Sequence, residues 1–578
     1  MALTQAEIDA IPEEDITEEL ANELFPPVHL GPTWERGEDG NFILPELTLG
    51  WGILGWCTAN LLDPITGNPW MFTPEQARFI LWFYEVKPRG NIAVRTNRKA
   101  VFQRLKGHGK DPMAVALGMA ELLGPTVWSH WDPNVRGGCV GKARRSSLVQ
   151  VVAVSKEQGV GNTMHMAPEM ISKQCIEKYN LDIQKEIVQV KGRPAHRMMA
   201  VAGSFKSAEG NRPHFVIMNE PHHWTPSMGG DRLYETVQNN IRKTATQGSS
   251  ILAITNAYVP GEDSVLERMR YAVDQFNLGL APDPKILYDT LEAHPDAPFD
   301  TAWGPWIVKQ CAGDSLGWVP WQEVAETFAD TSIDEARERR MWYNRVIEPE
   351  DAVFSESEWD AIRDLDLTGT KADLKRGDAI VLGFDGGRTD DATALVAIRI
   401  RDRLVVPLAI WQSPPRTRDR KQVKWEMDPM QVTAEVHLAF SSYNVKAFYA
   451  DVQGYDSWIF QWEAQYAPRL EAGVSPKRPI AYDMRGHQEE TIRGHEAFMR
   501  DVLDRRIWHN GDPILRKHAL NARRRTENRY GISFGKESRE SPNKIDAYAA
   551  TICAYLALRA LLREDKNEPE KNKTVHFS

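Results

Sequence analysis

The sequence predicts an α/β protein of two domains, the first on a mostly parallel sheet and the second on a mixed sheet. Short β-type runs alternate with helical stretches through the first half. After residue 378, three apolar strands follow one another with only short polar breaks, the pattern of an antiparallel meander. The length, 578 residues, suits two large domains at ~100–200 residues each or slightly more.

Composition narrows the class. With 42% hydrophobic and 26% charged residues the chain is ordinary globular protein. No apolar run approaches the ~18 residues of a membrane span, and the acidic N-terminus lacks the layout of a secretory signal. Cys57, Cys139, Cys175, Cys311 and Cys553 are odd in number and never spaced as CxxC. That pattern points to a reducing cytosol, without a disulfide framework or structural zinc. The net charge of −10 hides a gradient: residues 1–24 hold eight acids and no Lys or Arg, while basic clusters lie at 87–110, 142–145 and 516–539. Local basic patches grip DNA even on an acidic protein.

Along the chain, residues 1–45 read as an acidic, poorly ordered arm. The stretches 47–62 and 72–86 are helical, the second starting at Thr73-Pro74. Strands are expected at 99–105, 147–155, 214–219 and 250–256, with a helix after the first. Together 46–347 make the first domain, with a charged helical stretch at 333–346, and 348–378 is a linker rich in acids. The second domain spans 379–563: the meander, a helix, a strand at 446–451, further helices and a long apolar helix from Asp546. The polar tail, 564–578, reads as disordered.

Two constellations carry chemistry. Between the strand at 99–105 and its helix lies RLKGHGKD, Arg104 to Asp111. Gly109-Lys110 fits the GK step of a phosphate loop, Gly107 adds a second flexible point, and the helix N-terminus favours an anion. Lys110 is placed for the β/γ-phosphates. Arg104 stands where the motif has its first Gly, and Asp111 where it has the Mg²⁺-holding hydroxyl. The bland alternative is a Gly-rich turn capping a helix. Downstream, HFVIMNEPHHW ends an apolar strand at Asn219-Glu220, as a Walker B strand ends, with Glu220 placed to orient an attacking water. Asn219 is neutral where an aspartate is usual, so the Mg²⁺-binding charge is expected to have moved to Asp111. Gln76 offers a donor and an acceptor to an adenine edge, and Thr255-Asn256 ends a strand beside the cradle.

The second constellation is three acids in strand–strand–helix order: Asp385 in VLGFDGG, Asp451 in KAFYAD, and Asp546 in NKIDAYAA. This is an RNase H-like layout. Converging carboxylates need divalent cations, and two Mg²⁺ or Mn²⁺ ions ~4 Å apart activate water for phosphodiester hydrolysis. Asp390 or Asp391 would add a ligand. His518 and Arg523–Arg525 are candidates to hold the DNA backbone, or plain solvated charge.

With both constellations in this order, the sequence resembles the large terminase subunit of tailed bacteriophages, the actinobacterial-phage type above all. The telling pieces are FTPEQARF, RLKGHGKDP, VSKEQGVGNT, HFVIMNEPHHW, FDGGRTDDATAL and NKIDAYAA. The resemblance implies a P-loop (ASCE-type) ATPase joined to an RNase H-like nuclease, which pumps double-stranded viral DNA into a procapsid and cuts concatemers. It makes Gln76 the adenine reader, Lys110 the phosphate lysine, Glu220 the catalytic glutamate and Thr255-Asn256 the coupling motif. Asp385, Asp451 and Asp546 become the nuclease metal ligands, while Asp111 and Asn219 depart from the family's pattern. The loop glycines Gly107 and Gly109 bind ATP, and the cation for transition-state charge is Arg104, Lys106 or a residue from another subunit. Implied partners are the portal protein, a small terminase subunit and further copies in a ring on the portal, in the host cytoplasm and away from membranes. Two other readings compete: a repair or restriction helicase-nuclease, which would need a second RecA-like lobe, and a non-catalytic capsid-assembly module with decayed ATPase motifs.

Overall fold

The computed structural model describes residues 8 and 11–567, apart from 156–162, 203–211, 245–247, 278, 280, 331, 348–350, 388–391, 413–426 and 537–542. Those gaps take in most of the quoted VSKEQGVGNT segment, Asp390, Asp391 and, beyond 567, most of the tail. The chain divides into two compact units, the first ending at Ile347 and the second starting at Glu348.

In the first unit the described residues form a nine-stranded sheet. Its middle is six parallel strands, in spatial order Ile286–Glu292, Lys99–Gln103, Ser250–Thr255, Phe215–Asn219, Leu148–Ala153 and Arg193–Ala202. The apolar runs at 215–219 and 250–255 are buried along their whole length, as strands covered on both faces must be. Helix Lys110–Leu123 lies against this sheet almost wholly buried. It presses so closely that a Cβ on Gly118 would sit 2.9 Å from the Met198 side chain.

Several elements have weak or irregular patterns and were not expected. They include the hairpins Val86–Arg89/Ile92–Arg95 and Val127–Trp131/Cys139–Lys142, the antiparallel edge Leu181–Ile183/Ile187–Val190, and strand Ile286–Glu292. The reading of 1–45 as a poorly ordered arm is corrected. Helix Glu18–Leu24, capped by Thr17, buries Ala21, and Ile16 and Phe25 join a core around Trp303 and Phe328. Val28–Leu30 then adds an antiparallel strand to the sheet edge. A few apolar residues at helical spacing were enough to anchor an otherwise acidic segment.

The second unit holds a mixed six-stranded sheet, Ala481–Tyr482, Asn444–Asp451, Ala379–Gly386, Thr393–Arg399, Leu404–Trp411 and Trp508–His509 in spatial order. The three central strands of the sequence meander pair antiparallel, and Asn444–Asp451 runs parallel to Ala379–Gly386. The segment 348–378 is no free linker. Val353, Phe354, Trp359 and Ile362 are buried in the core of this unit, because four large apolar side chains among the acids cannot stay in water.

The long helix Asp546–Asn567 packs across the sheet. Its seat is Gly383, where an added Cβ would lie 2.0 Å from the Ala550 carbonyl oxygen and 2.2 Å from the Ala554 nitrogen. Backbone touches backbone there, and only glycine permits it. Gly383→Val should destabilise this unit by about 1–3 kcal/mol through forced separation of helix and strand. Thermal unfolding would show a lowered transition assigned to the second unit, and an unchanged melting profile would contradict the packing argument.

Candidate nucleotide site and candidate nuclease centre

The cradle sits where the parallel strands end. Strand Lys99–Gln103 runs into the loop, and Gly109, at φ +88°, is the residue before helix Lys110–Leu123. Gly107 also takes a left-handed backbone (φ +82°), so two glycines let the loop fold back above the helix. Strand Ser250–Thr255, which ends in the Thr255-Asn256 pair, lies between the cradle strand and strand Phe215–Asn219. Glu220 thus stands one strand removed from the loop, at the same sheet edge.

Lys110 is nearly fully buried. Its Nζ donates to the carbonyl oxygens of Arg104 (3.0 Å) and Leu105 (2.8 Å) and to Asn256 Oδ1 (3.2 Å). Asn256 also donates from Nδ2 to the Arg104 carbonyl at 3.1 Å. Neutral oxygens therefore hold an ammonium placed where phosphate oxygens would serve it better. Burial pulls the Lys110 pKa down, and the charges of Glu220 and Asp111 oppose that.

Beneath the loop lies a buried ion network. Arg104, fully buried, pairs through Nε with Glu75 and through Nη2 with Asp289, whose other oxygen takes the Thr33 hydroxyl. His108 Nε2 lies 3.1 Å from Glu75 Oε1. Burial alone would raise Glu75, but Arg104 and His108 outweigh it and hold the carboxyl well below the usual range. Asp289 is raised by burial despite Arg104 and Thr33. The expectation that the Arg104 side chain serves the nucleotide is therefore corrected. Its guanidinium is spent below the cradle, and only its carbonyl faces Lys110. Lys106, whose backbone N–H donates to the Met341 carbonyl (2.8 Å), keeps an exposed side chain.

Gln76 is also partly committed. Thr73 and Gln76 close a capping box at the start of helix Pro74–Phe83, with Gln76 Oε1 accepting from the Thr73 backbone N–H. Gln76 Nε2 lies 3.8 Å from where a Cβ of Gly109 would be. The amide end thus faces the cradle, while the oxygen is used by the helix start.

The paired departures at Asp111 and Asn219 meet in space. Asp111 Oδ1 accepts from the Thr163 hydroxyl, and Asn219 Nδ2 donates to Thr163 Oγ1 and, at 3.4 Å, to Asp111 Oδ1. A hydroxyl and a carboxylate, a donor set that suits Mg²⁺, are both present, but Thr163 supplies the one and Asp111 the other. Thr163 was legible only as the end of VSKEQGVGNT.

Glu220 adopts a left-handed backbone (φ +52°), and its N–H donates to the Ile254 carbonyl at 2.9 Å. His222, unexpected from the sequence, spans two groups. Its Nε2 is 3.2 Å from Glu220 Oε2 and its Nδ1 is 2.9 Å from Thr255 Oγ1, whose hydroxyl donates to the Asn256 carbonyl at 2.9 Å. With that hydroxyl hydrogen used, Nδ1 is the donor to Thr255. Burial drives His222 far below its ordinary pKa, and burial with the Asp111 charge raises Glu220 to about 7 against the pull of Lys110. His223 joins these two so that one oxygen and two nitrogens lie within 4.8 Å, a donor set better suited to a transition metal than to Mg²⁺. Trp318, exposed at 52%, donates from its indole N–H to the Gly107 carbonyl at 3.0 Å and lies beside Gly109.

In the second unit, Asp385 and Asp451 end adjacent parallel strands, next in register after Phe384 opposite Ala450. Both line one cavity of about 290 Å³, together with Met484, Gln488 and Ala549. Asp546 is buried one helical turn before Ala549, on the face pressed to the sheet. Asp451 accepts from the Met484 backbone N–H at 3.2 Å. Burial raises it, and Asp483, an acid absent from the sequence expectation, adds to the rise. Carboxylates gathered at one buried site suit hard divalent cations such as Mg²⁺ or Mn²⁺.

The proposed phosphate-holding groups fare differently. His518 is buried, with Nδ1 accepting from the Ala547 N–H at 3.0 Å, and it fixes the helix start beside Asp546. Arg523 and Arg525 pair with Asp351, and Arg524 donates to the Val353 carbonyl at 3.2 Å. The basic run is one strand of a hairpin, and the paired Arg525 and Asp351 side chains stay 40% and 48% exposed.

Removing Arg104 leaves Glu75 and Asp289 buried without their cation. Arg104→Ala should cost about 3–5 kcal/mol in denaturant unfolding, and Arg104→Lys should recover little, since one ammonium cannot serve both carboxylates in the fork geometry. A loss under 1 kcal/mol would show the network to be incidental.

No family model matches the chain. It is 35% identical over 582 residues to the Gene 13 protein of Mycobacterium phage L5, covering 93% of this chain and 95% of that protein. The Gene 13 protein of Mycobacterium phage D29 is 34% identical over 598 residues, covering 95% and 97%. Among solved structures, the HK97 bacteriophage large terminase superposes with a TM-score of 0.47 at 17% identity, covering 88% of this chain and all of that one. The motifs and the near full-length relatives together place the chain in the large terminase family of tailed bacteriophages, in its actinobacterial-phage branch.

Proposed function

We propose that the chain is a DNA-packaging motor: its first unit hydrolyses ATP to move double-stranded viral DNA into a procapsid, and its second cuts the concatemer. The observation that carries this reading is the shared sheet edge, where Lys110 and Asp111 act electrostatically on Glu220. A candidate phosphate-binding cation, a candidate Mg²⁺ carboxylate and a candidate base thus lie within electrostatic reach of one another.

ATP would draw Lys110 Nζ from the Arg104 and Leu105 carbonyls and from Asn256 onto the β/γ-phosphates. Lys106 is then the loop cation left for the developing charge. Asp111 and Thr163 would hold Mg²⁺, which neutralises phosphate charge when bound. Glu220, freed of its proton, orients the attacking water. Because Asn256 touches Lys110 and Thr255 reaches Glu220 through His222, the strand end at 255–256 senses both catalytic groups, which suits a coupling element. In the second unit Asp385, Asp451 and Asp546 would hold two Mg²⁺ or Mn²⁺ ions, which activate water and stabilise the leaving oxygen. A ring of copies on the portal, a small-subunit partner and action in the host cytoplasm belong to the same proposal. Among the described residues no helix is long and apolar enough to cross a membrane.

Three measurements test it. Glu220→Gln should abolish ATP turnover while Mn²⁺-dependent cutting of plasmid DNA persists; loss of both would argue against separate sites. Asp385→Ala should abolish cutting and spare ATP hydrolysis. A base with a pKa raised to about 7 is protonated below that pH, so kcat/KM for ATP should climb as pH rises through about 7. A profile flat from pH 5.5 to 8 would remove Glu220 from the base role.

A further inference from the structure

The acid-lined cavity of the second unit has a neighbour. A cavity of about 700 Å³ opens beside it, lined by Arg485, Arg493, Arg529, Arg559 and Arg563 among other residues. Arg485 and Gln488 line both cavities. Five guanidinium groups around one hollow form a polyanion seat, since their planar forks match phosphate oxygens.

We propose that this cavity seats the sugar-phosphate backbone of the DNA strand that runs into the Asp385/Asp451 site; the proposal rests on the nuclease reading of that site. Continuity with the acid-lined cavity selects DNA over an acidic protein, because a backbone held by the arginines leads past Arg485 to the carboxylates. Arg559 is oriented by a 3.1 Å bond to the Arg493 carbonyl, and Arg529 stacks 4.5 Å over the Tyr530 ring. Glu489 and Glu490 are the opposing charges on the wall; Glu489 pairs with Arg493 at 2.7 Å, with both side chains at least half exposed, so that pair is weak and easily displaced. Backbone contacts carry no sequence information, so binding here is sequence-tolerant.

The test measures duplex DNA binding by the full chain in EDTA across a salt series. Each phosphate contact adds ~0.9 to the slope of log affinity against log salt. The pair Arg529→Ala/Arg559→Ala should therefore flatten the slope by about 2, Arg529→Lys/Arg559→Lys should keep it, and Glu489→Gln should tighten binding at low salt. An alanine pair with the wild-type slope, a lysine pair as weak as the alanine pair, or no tightening in Glu489→Gln would each overturn the proposal. So would polyglutamate that binds in an arginine-dependent way while DNA binding ignores these arginines, which would make the cavity a protein-docking site. Asp385→Ala separates the two readings. If that variant still cuts DNA, the nuclease assignment fails whatever the slopes show.

Discussion

The nucleotide half of this protein depends on one buried cation. Arg104 ties the end of strand Lys99–Gln103 to helix Pro74–Phe83 through Glu75 and to strand Ile286–Glu292 through Asp289. Three elements that meet only in the folded chain are thus clamped directly beneath the phosphate loop. The same residue turns its carbonyl upward to Lys110 and Asn256. An arginine in place of the motif's first glycine is thus built into the fold beneath the loop, its charge paired by burial against two acids. A buried, fully paired arginine fixes geometry, while a mobile one would compete with Lys110 for the same ligand.

The second half depends on a contact of the opposite kind, in which nothing but backbone is present. At Gly383 the helix from Asp546 comes within touching distance of the strand that carries Asp385. That approach sets the depth at which the helix begins, and His518 fixes the beginning by accepting the Ala547 N–H. The three acids are then carried by elements locked by packing rather than by one another. Such an arrangement tolerates the mutual repulsion of carboxylates until cations neutralise it.

Much of this was legible in the sequence. Strands with continuous apolar runs, such as 215–219 and 250–255, and helices with proper caps, such as Thr73-Pro74, announce themselves by local pattern. Glu220, Asp385 and Asp451 stood out as candidates because an apolar strand that runs into an acid is a local signal, and Lys110 and Asp546 because each opens an apolar helix. The pairing of Asp111 with Asn219 was readable as compensation, but the hydroxyl between them came from Thr163, distant in sequence and legible only as the end of VSKEQGVGNT. Arg104, His222, Asp483 and the arginine cavity were hidden for the same reason. Their roles are set by partners from other elements, and a basic run such as Arg523–Arg525 looks alike whether it faces DNA or its own unit. The N-terminal segment was misjudged because its average charge conceals the few apolar residues, Ile16, Ala21 and Phe25, that anchor it.

The most direct test of the account is an experimental structure of the full chain with a non-hydrolysable ATP analogue and Mg²⁺. It should show Lys110 Nζ moved from the Arg104 and Leu105 carbonyls onto phosphate oxygens, with Asp111 and Thr163 at the metal and Arg104 still paired with Glu75 and Asp289. A nucleotide bound elsewhere, or Lys110 still held by those carbonyls with the analogue in place, would contradict it.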